Sequence, residues 1–359
     1  MKFGRFDIQK AVTRDLGDLN HLHDMTGALR TSPNLPNLLT TLIGDSFNVE
    51  FLSTDTFEHD VTNQRVSEIK DKSFHERGNY FDAREQTKTH LFKVPSFGIA
   101  SHIRPRDALK ARVAGTKDQL ENIESLVQKD IRDMRNSFAL LQERAIAYTI
   151  TAGGLYVPNG SVASTDFYLE YTGTAASSRP SVDFTLGTAT SYPREAGEKA
   201  RQMIADSLLD GQSVDGYVAL CGRDFFNKRI KHPKEEQAMV DRSGIAGQDP
   251  LIQRLANYSQ QYRMYRGADD ILYIQYDARI GGTPLVADGE CFIMPVNTSG
   301  IFTQAFAPAE TMTYVNTIAE REYAWKVEDE FSGTKLFMES NFGIYLQNPN
   351  SIIKGTSSN

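Results

Sequence analysis

Histidines, adjacent acids, paired glycines and cysteines are the residues of this chain whose types and spacing could carry out chemistry. His21-Leu22-His23 offers two imidazoles to a metal, but no cysteine or third histidine stands at ligand spacing. Glu235-Glu236 and Asp269-Asp270 are candidate acid–base pairs, yet both lie in hydrophilic stretches and read as solvated loop charges. Gly153-Gly154 and Gly281-Gly282 lack the Gly, Lys and Ser that complete a phosphate-cradling loop, so they read as turns. The chain contains no G-x-S-x-G, H-E-x-x-H or C-x-x-C. Cys221 and Cys291 each fall in a run that reads as a strand and are expected as buried thiols, not a disulfide. The chemistry-bearing residues therefore assign no catalytic, cofactor-binding or metal-binding site, and the chain is expected not to be an enzyme.

At 359 residues, 40% hydrophobic and 24% charged, the chain has the composition of a globular protein with room for two or three domains. A formal net charge of −7 gives no electrostatic case for gripping nucleic acid. No apolar run approaches the roughly 18 residues of a membrane span. Met1-Lys2-Phe3-Gly4-Arg5 leads into charged sequence instead of a signal-peptide core, so a reducing cytoplasm is the expected place of synthesis.

The elements that would position any site are dominated by one long amphipathic helix, Thr116 to Thr151. Leu120, Ile123, Val127, Ile131, Met134, Phe138, Leu141, Ala145 and Tyr148 recur in threes and fours, which keeps them on one helical face. A helix of that span is about 50 Å long, against a usual mean of about 11–12 residues. Thr116 with Gln119 fits a capping box at its start, and Gly153-Gly154 supplies the stop. The stripe is narrow up to Arg135 and wider from Phe138, where Ala139, Leu140, Ile146 and Ala147 join it. The first half is therefore expected on a surface or between subunits and the second half buried. A heptad reading of the same residues would allow a coiled coil.

Around that rod, residues 1–45 show no sustained periodicity and read as an arm. Phe47, Val49 and Phe51 alternate with polar residues, and His90, Phe92 and Val94 alternate less cleanly around Leu91 and Lys93, on either side of a charged stretch, Val61 to Arg84. Two strands with a charged tip describe a projecting hairpin with a thin core, which would gain stability by packing on another chain. Leu155-Tyr156-Val157 and Phe167 to Tyr171 read as short strands. Arg194 to Leu209 reads as a helix, Tyr217 to Cys221 as a strand, and Arg223-Asp224 as the start of another helix. Residues 232–250 read as an exposed loop. Ile271–Tyr276 and Glu290–Val296 read as strands, and Glu322–Ile344 as two strands joined at Ser332-Gly333.

In this order of parts the chain resembles the major capsid proteins of tailed bacteriophages, most closely the lambda-like capsid protein E family. The resemblance rests on Lys88-Thr89-His90-Leu91-Phe92-Lys93-Val94-Pro95 followed by Ile103-Arg104-Pro105-Arg106-Asp107. It rests also on Ala147-Tyr148 through Gly154-Leu155-Tyr156 with Phe167-Tyr168-Leu169-Glu170-Tyr171, and on Leu336-Phe337-Met338-Glu339-Ser340 through Gln347-Asn348-Pro349-Asn350. It implies an α+β fold of the Hong Kong 97 type. The implied parts are an N-terminal arm (1–45), an extended β-hairpin loop (46–103), a spine helix with the first part of a peripheral domain (104–192), an axial α/β domain (193–309) and return strands of the peripheral domain with the C-terminus (310–359).

The function so implied is self-assembly, as hexamers and pentamers, into an icosahedral head enclosing double-stranded DNA. The implied partners are other copies of the chain, a portal, a scaffold or protease, a decoration protein and weakly held DNA, with no membrane. The implied location is the virion, assembled in the bacterial host cytoplasm. Some relatives join a loop lysine covalently to a neighbour; Lys70, Lys72 and Lys88 match that by position alone, and no role is assigned to them. Two other readings stand beside this one: an encapsulin-like compartment shell, or an α/β enzyme centred on residues 190–300 with a helical dimerisation platform.

Overall fold

A computed structural model describes residues 22–24, 38–44, 47–63, 86–106, 123–208, 212–236, 262–280, 283–329 and 333–358. The described chain begins with strand β1 (Leu22–Asp24), helix α1 (Leu38–Ile43) and strand β2 (Phe47–Phe51). Strands β3 (Thr56–Asn63) and β4 (Gln86–Lys93) form a hairpin, and β5 (Ser96–Ile103) precedes the long helix α2 (Ile123–Ala152). Helix α3 (Phe167–Thr172) and strand β6 (Ser181–Asp183) come next, then α4 (Pro193–Ser207), β7 (Gly216–Cys221) and α5 (Arg223–Ile230). Strands β8 (Met264–Arg266), β9 (Ile271–Gln275), β10 (Arg279–Ile280), β11 (Thr283–Pro284), β12 (Glu290–Val296) and β13 (Phe302–Ala307) follow. Strands β14 (Tyr323–Asp329), β15 (Gly333–Leu346) and β16 (Ile353–Thr356) close the order.

Two six-stranded sheets carry the fold. The first runs β1-β14-β15-β13-β2, with β5 on the other side of β15; the second runs β6-β16-β12-β7-β9-β8. Both sheets draw on both sides of residues 193 and 309, since β13 lies in the first while β6 and β16 lie in the second. Along β12 the side chains alternate between two apolar clusters. Cys291 and Ile293 face Phe225 of α5 and Ala200 of α4, whereas Phe292 and Met294 face the core shared with α2 and the first sheet. Cys221 and Cys291 are the expected buried free thiols, directly opposite each other across β7 and β12.

Helix α2 is the predicted rod from Ile123 onward, and the Thr116–Gln119 box lies outside the described residues. It stops at Gly153, whose φ of +71° suits glycine and whose missing Cβ leaves room for the Tyr168 ring. Arg179 caps the last turn by donating to Ile150 O at 3.1 Å. The widened second half is buried as expected, through Ala145, Ile146, Ala147 and Ile150, although Leu140 is 52% exposed. The first half departs from expectation. Val127, Ile131 and Met134 are buried, together with Phe138 of the second half, on Ile103, Ala324, Leu336 and Met338 of its own sheet. A narrow stripe is enough to cover one sheet face, and using it there removes the seam a coiled coil would need.

Other corrections have local causes. Residues 167–171 are a helix, not a strand. Asp166 accepts hydrogen bonds from Tyr168 N and Leu169 N at its start, and Gly173 takes the left-handed cap at its end. Leu155-Tyr156-Val157 is not a strand either: a single bridge, Gly154 to Asp166, takes its place. Phe47–Phe51 is the edge strand beside β13, not part of the hairpin, which starts at Thr56. The supposedly irregular lead-in supplies α1, with Leu38, Leu39, Leu42 and Ile43 all buried; six residues are too few to show a period. The β14–β15 hairpin forms as read, with Gly333 at φ +96°, while Ser332 lies outside the described residues.

One buried carboxylate ties these layers together. Glu143 of α2 accepts from Leu39 N at 3.0 Å and Thr40 N at 3.4 Å at the start of α1, and from Tyr276 OH at 2.7 Å just past β9. Burial pushes its pKa up, opposed by those same donors. Glu143→Ala leaves the buried donors Leu39 N and Tyr276 OH, and the half-buried N–H and hydroxyl of Thr40, without their acceptor and should cost about 2–4 kcal/mol, with Glu143→Gln costing less because one acceptor oxygen remains. Urea unfolding midpoints of the two variants against wild type check this order.

Candidate functional site

The β3–β4 hairpin forms a two-stranded sheet apart from the two large ones, so its seat is the first place to look for a functional device. Strands β3 and β4 pair in unbroken register from Thr56↔Lys93 to Asn63↔Gln86. Phe57 and Phe92 point inward and are 1% and 5% exposed; full burial of such a side chain stabilises by about 1.5–3 kcal/mol. Phe57 lies 4.6 Å from the Tyr345 ring, and Phe92 meets Phe167 edge-on at 5.9 Å. Tyr345 OH donates to Lys93 O at 3.2 Å. The thin-cored hairpin of the sequence reading therefore has a firm seat on its own chain, and that seat is aromatic.

Two histidines face each other across this seat, His59 of β3 and His90 of β4. His90 is buried and its Nδ1–H donates to Glu170 Oε1 at 2.7 Å. His59 Nδ1 accepts from Gln347 Nε2 at 3.1 Å. Burial lowers the His59 pKa, the neighbouring His90 lowers it further, and Asp60 acts the other way. The ring of Tyr171 packs against both, at 5.8 Å from His59 and 4.7 Å from His90. Alternation around His90 and Phe92 marked the strand in the sequence. Their partners, Glu170, Tyr171, Tyr345 and Gln347, lie too far along the chain for any spacing rule to connect them.

The acid pairs are placed differently from expectation. Asp269 and Glu235 are not solvated loop charges: both are buried around Arg229, which is 0% exposed. Arg229 Nη2 donates to Asp269 Oδ2 at 2.9 Å, and Nη1 is ion-paired at 2.9 Å with Glu235 Oε1 without hydrogen-bond alignment. Tyr273 OH also donates to Asp269 Oδ2, at 2.7 Å, and the guanidinium sits 4.9 Å over the Tyr273 ring. Burial raises the pKa of both acids against the pull of Arg229. At the described start of the 232–250 stretch, His232 and Glu235 are buried, not exposed. Charges sealed in this way cannot touch a substrate, so their role is to join α5 to β9.

The remaining candidates are scattered. His23 lies on β1 and His21 outside the described residues, as do Gly281, Gly282, Lys70 and Lys72. Lys88 is exposed on β4 and donates to Glu170 O at 3.4 Å. Among the described residues no three or more His, Cys, Asp or Glu are placed to hold a metal ion.

Comparison with known proteins supplies the context for this arrangement. A family profile described as phage major capsid protein E matches residues 21–357. A major capsid protein of Pseudomonas phage KPP10 is 29% identical over 296 residues, which is 78% of this chain and 80% of that protein. In a structure of the mature capsid of bacteriophage PhiM1, one chain superposes with a TM-score of 0.52 at 11% identity, covering 91% of this chain and 89% of that one. A prophage protein from E. coli CFT073 gives a TM-score of 0.51 at 12% identity, over 95% and 99%.

Two outcomes follow from the buried groups. A histidine whose folded pKa is depressed contributes stability that is present above its unfolded value of 6.5 and is lost as pH falls through the folded value. Amides of β3 and β4 should therefore lose hydrogen-exchange protection below about pH 6.5, once intrinsic rates are corrected, and His59→Gln should flatten that dependence. Arg229→Met strands two buried carboxylates and should destabilise by about 3–5 kcal/mol, read as a fall in thermal midpoint.

Proposed function

This chain belongs to the phage major capsid protein E family, and on that premise we propose that its copies form hexamers and pentamers closing into an icosahedral head around double-stranded DNA. Its role is structural, as a component of the virion, and its fold is the mixed α+β fold of phage capsid proteins of the Hong Kong 97 type. The family match over residues 21–357 carries the proposal, and favours it over an encapsulin-like shell or an α/β enzyme.

The hairpin is the feature that supports assembly most directly. Its seat is anchored up to Asn63 and Gln86, and between them the sequence runs through residues of mixed charge, among them Arg65, Glu68, Lys70, Asp71, Lys72 and Glu76. Charges of alternating sign on a segment held at its base set partner choice and register between copies more than raw affinity. The aromatic seat fixes the positions of Asn63 and Gln86, between which that segment is attached. Obligate shell contacts of this kind bury about 2,000 Å² or more in total.

The first sheet with the spine helix then serves as the peripheral domain and the second sheet as the axial one. The portal, a scaffold or protease and a decoration protein are the further partners in this reading, and assembly takes place in the host cytoplasm. A net charge of −7 suits a container whose DNA is screened by counterions and not gripped by its wall.

Electron microscopy of the purified protein tests this directly: closed shells or capsomer rings are expected, and a stable monomer or dimer at high concentration would refute it. Because Asn63 pairs with Gln86, residues 64–85 can be replaced by a two-residue Asn-Gly turn. That variant should remain folded with an unchanged thermal midpoint and form no closed shells.

A further inference from the structure

Exposed apolar surface is concentrated at one edge of the first sheet. Met312, Val315 and Ile318, between β13 and β14, are 96%, 54% and 73% exposed, and Phe51 at the end of β2 is 43% exposed. Ala319 N donates to Leu52 O at 2.8 Å, which ties the backbone next to Ile318 to that next to Phe51. The segment is built and held. Tyr314 N and Val315 N both donate to Thr311 O, Glu320 N donates to Tyr323 OH at 2.7 Å, and the Tyr314 ring packs 4.6 Å from that of Tyr323. A pre-ordered apolar loop loses little conformational freedom when it docks. Its charge is mainly negative: residues 44–64 and 302–320 contain no lysine or arginine, and Glu50, Glu310 and Glu320 flank the apolar residues in sequence, with Arg321 the one neighbouring cation at their C-terminal side.

A second exposed face has the opposite character. The outer side of α2 shows Leu140 and Tyr148 in line with Lys129, Arg132 and Arg144, with Asp133 among them. Two copies of the loop patch set face to face would oppose Glu310 and Glu320 to themselves, which disfavours a contact of like with like. Placing the loop of one copy on the α2 face of another instead matches acid with base and apolar with apolar.

We propose that the 310–320 loop of one subunit docks on the outer face of the spine helix of a second copy of this chain. The contact rests on the shell reading above and names which surfaces meet in it. Because the two surfaces differ, the contact is heterologous and propagates from copy to copy instead of closing a pair.

Disulfide trapping tests it, with Met312→Cys and Leu140→Cys combined in one chain and oxidised with copper–phenanthroline; Cys221 and Cys291 are buried and stay silent. The expected result is a ladder of linked chains beyond the dimer on a non-reducing gel, with each single variant remaining monomeric. Cross-linking by Met312→Cys alone would mean that like meets like, and the proposal would be wrong. Well-formed shells without a ladder overturn this contact and leave the shell reading standing. Neither shells nor a ladder overturns both, and a ladder without closed shells sustains the contact alone. Charge reversal gives a second arm: Glu310→Lys with Glu320→Lys should reduce assembly about tenfold or more. Adding Arg132→Glu and Arg144→Glu should restore it, and failure to restore would also overturn the pairing.

Discussion

The carboxylate of Glu143 is the constraint on which the rest of the structure leans. It stands on the buried side of the spine helix's second half, where an unpaired charge would be costly. It is tolerated because two distant parts of the chain bring donors to it: the start of α1, through backbone N–H groups and the Thr40 hydroxyl, and the phenol of Tyr276. Without the carboxylate, Leu39 N and Tyr276 OH would themselves be buried and unpaired. The position of the lead-in helix, the spine and the second sheet are therefore one problem with one solution. The apolar core follows the same plan, since Leu39, Phe57, Ile146, Phe292 and Leu346 belong to a single cluster.

A second internal charge cluster sets the geometry of the α/β half. Arg229 is held by two acids and two aromatic rings, and Gly197 of α4 approaches so closely that a Cβ there would overlap Asp269. Buried ion pairs are weak sources of net stability, because desolvation offsets most of the attraction. What they enforce is a unique placement, since any slip of α5 against β9 leaves a charge without its partner. For a subunit that must repeat identical contacts many times around a shell, a unique placement matters more than a further increment of stability. The hairpin seat works by the same logic with rings in place of charges: one close-packed arrangement of Phe57, Phe92, Phe167 and Tyr345 fixes β3 and β4.

Much of the scaffold was legible beforehand. The spine helix, its glycine stop, the β7–α5 step, β12 and the β14–β15 hairpin all announce themselves through local periodicity and turn chemistry. Misreadings occurred where two local signals competed. Phe167 to Tyr171 carries aromatic residues typical of strands, yet Asp166 and Gly173 are helix caps about two turns apart, and the caps prevailed because Phe167 and Tyr168 could be buried from so short a helix. Phe47 to Phe51 alternates like a hairpin strand but pairs with β13 instead, a choice of partner that alternation cannot express. The acids Glu235 and Asp269 looked solvated because their neighbours in sequence are polar, whereas their neighbours in space are Arg229 and Tyr273.

Sequence by itself determined the family, the class of fold and the spine, because side-chain period, glycine position and order of elements are all encoded within a few turns of one another. Tertiary structure alone decided what the polar residues do. Whether a carboxylate is solvated or sealed, whether a stripe meets its own sheet or another chain, and which histidine faces which, all depend on contacts between residues tens or hundreds of positions apart. Burial and electrostatic environment are properties of that three-dimensional neighbourhood. They come into being only once the chain has closed on itself.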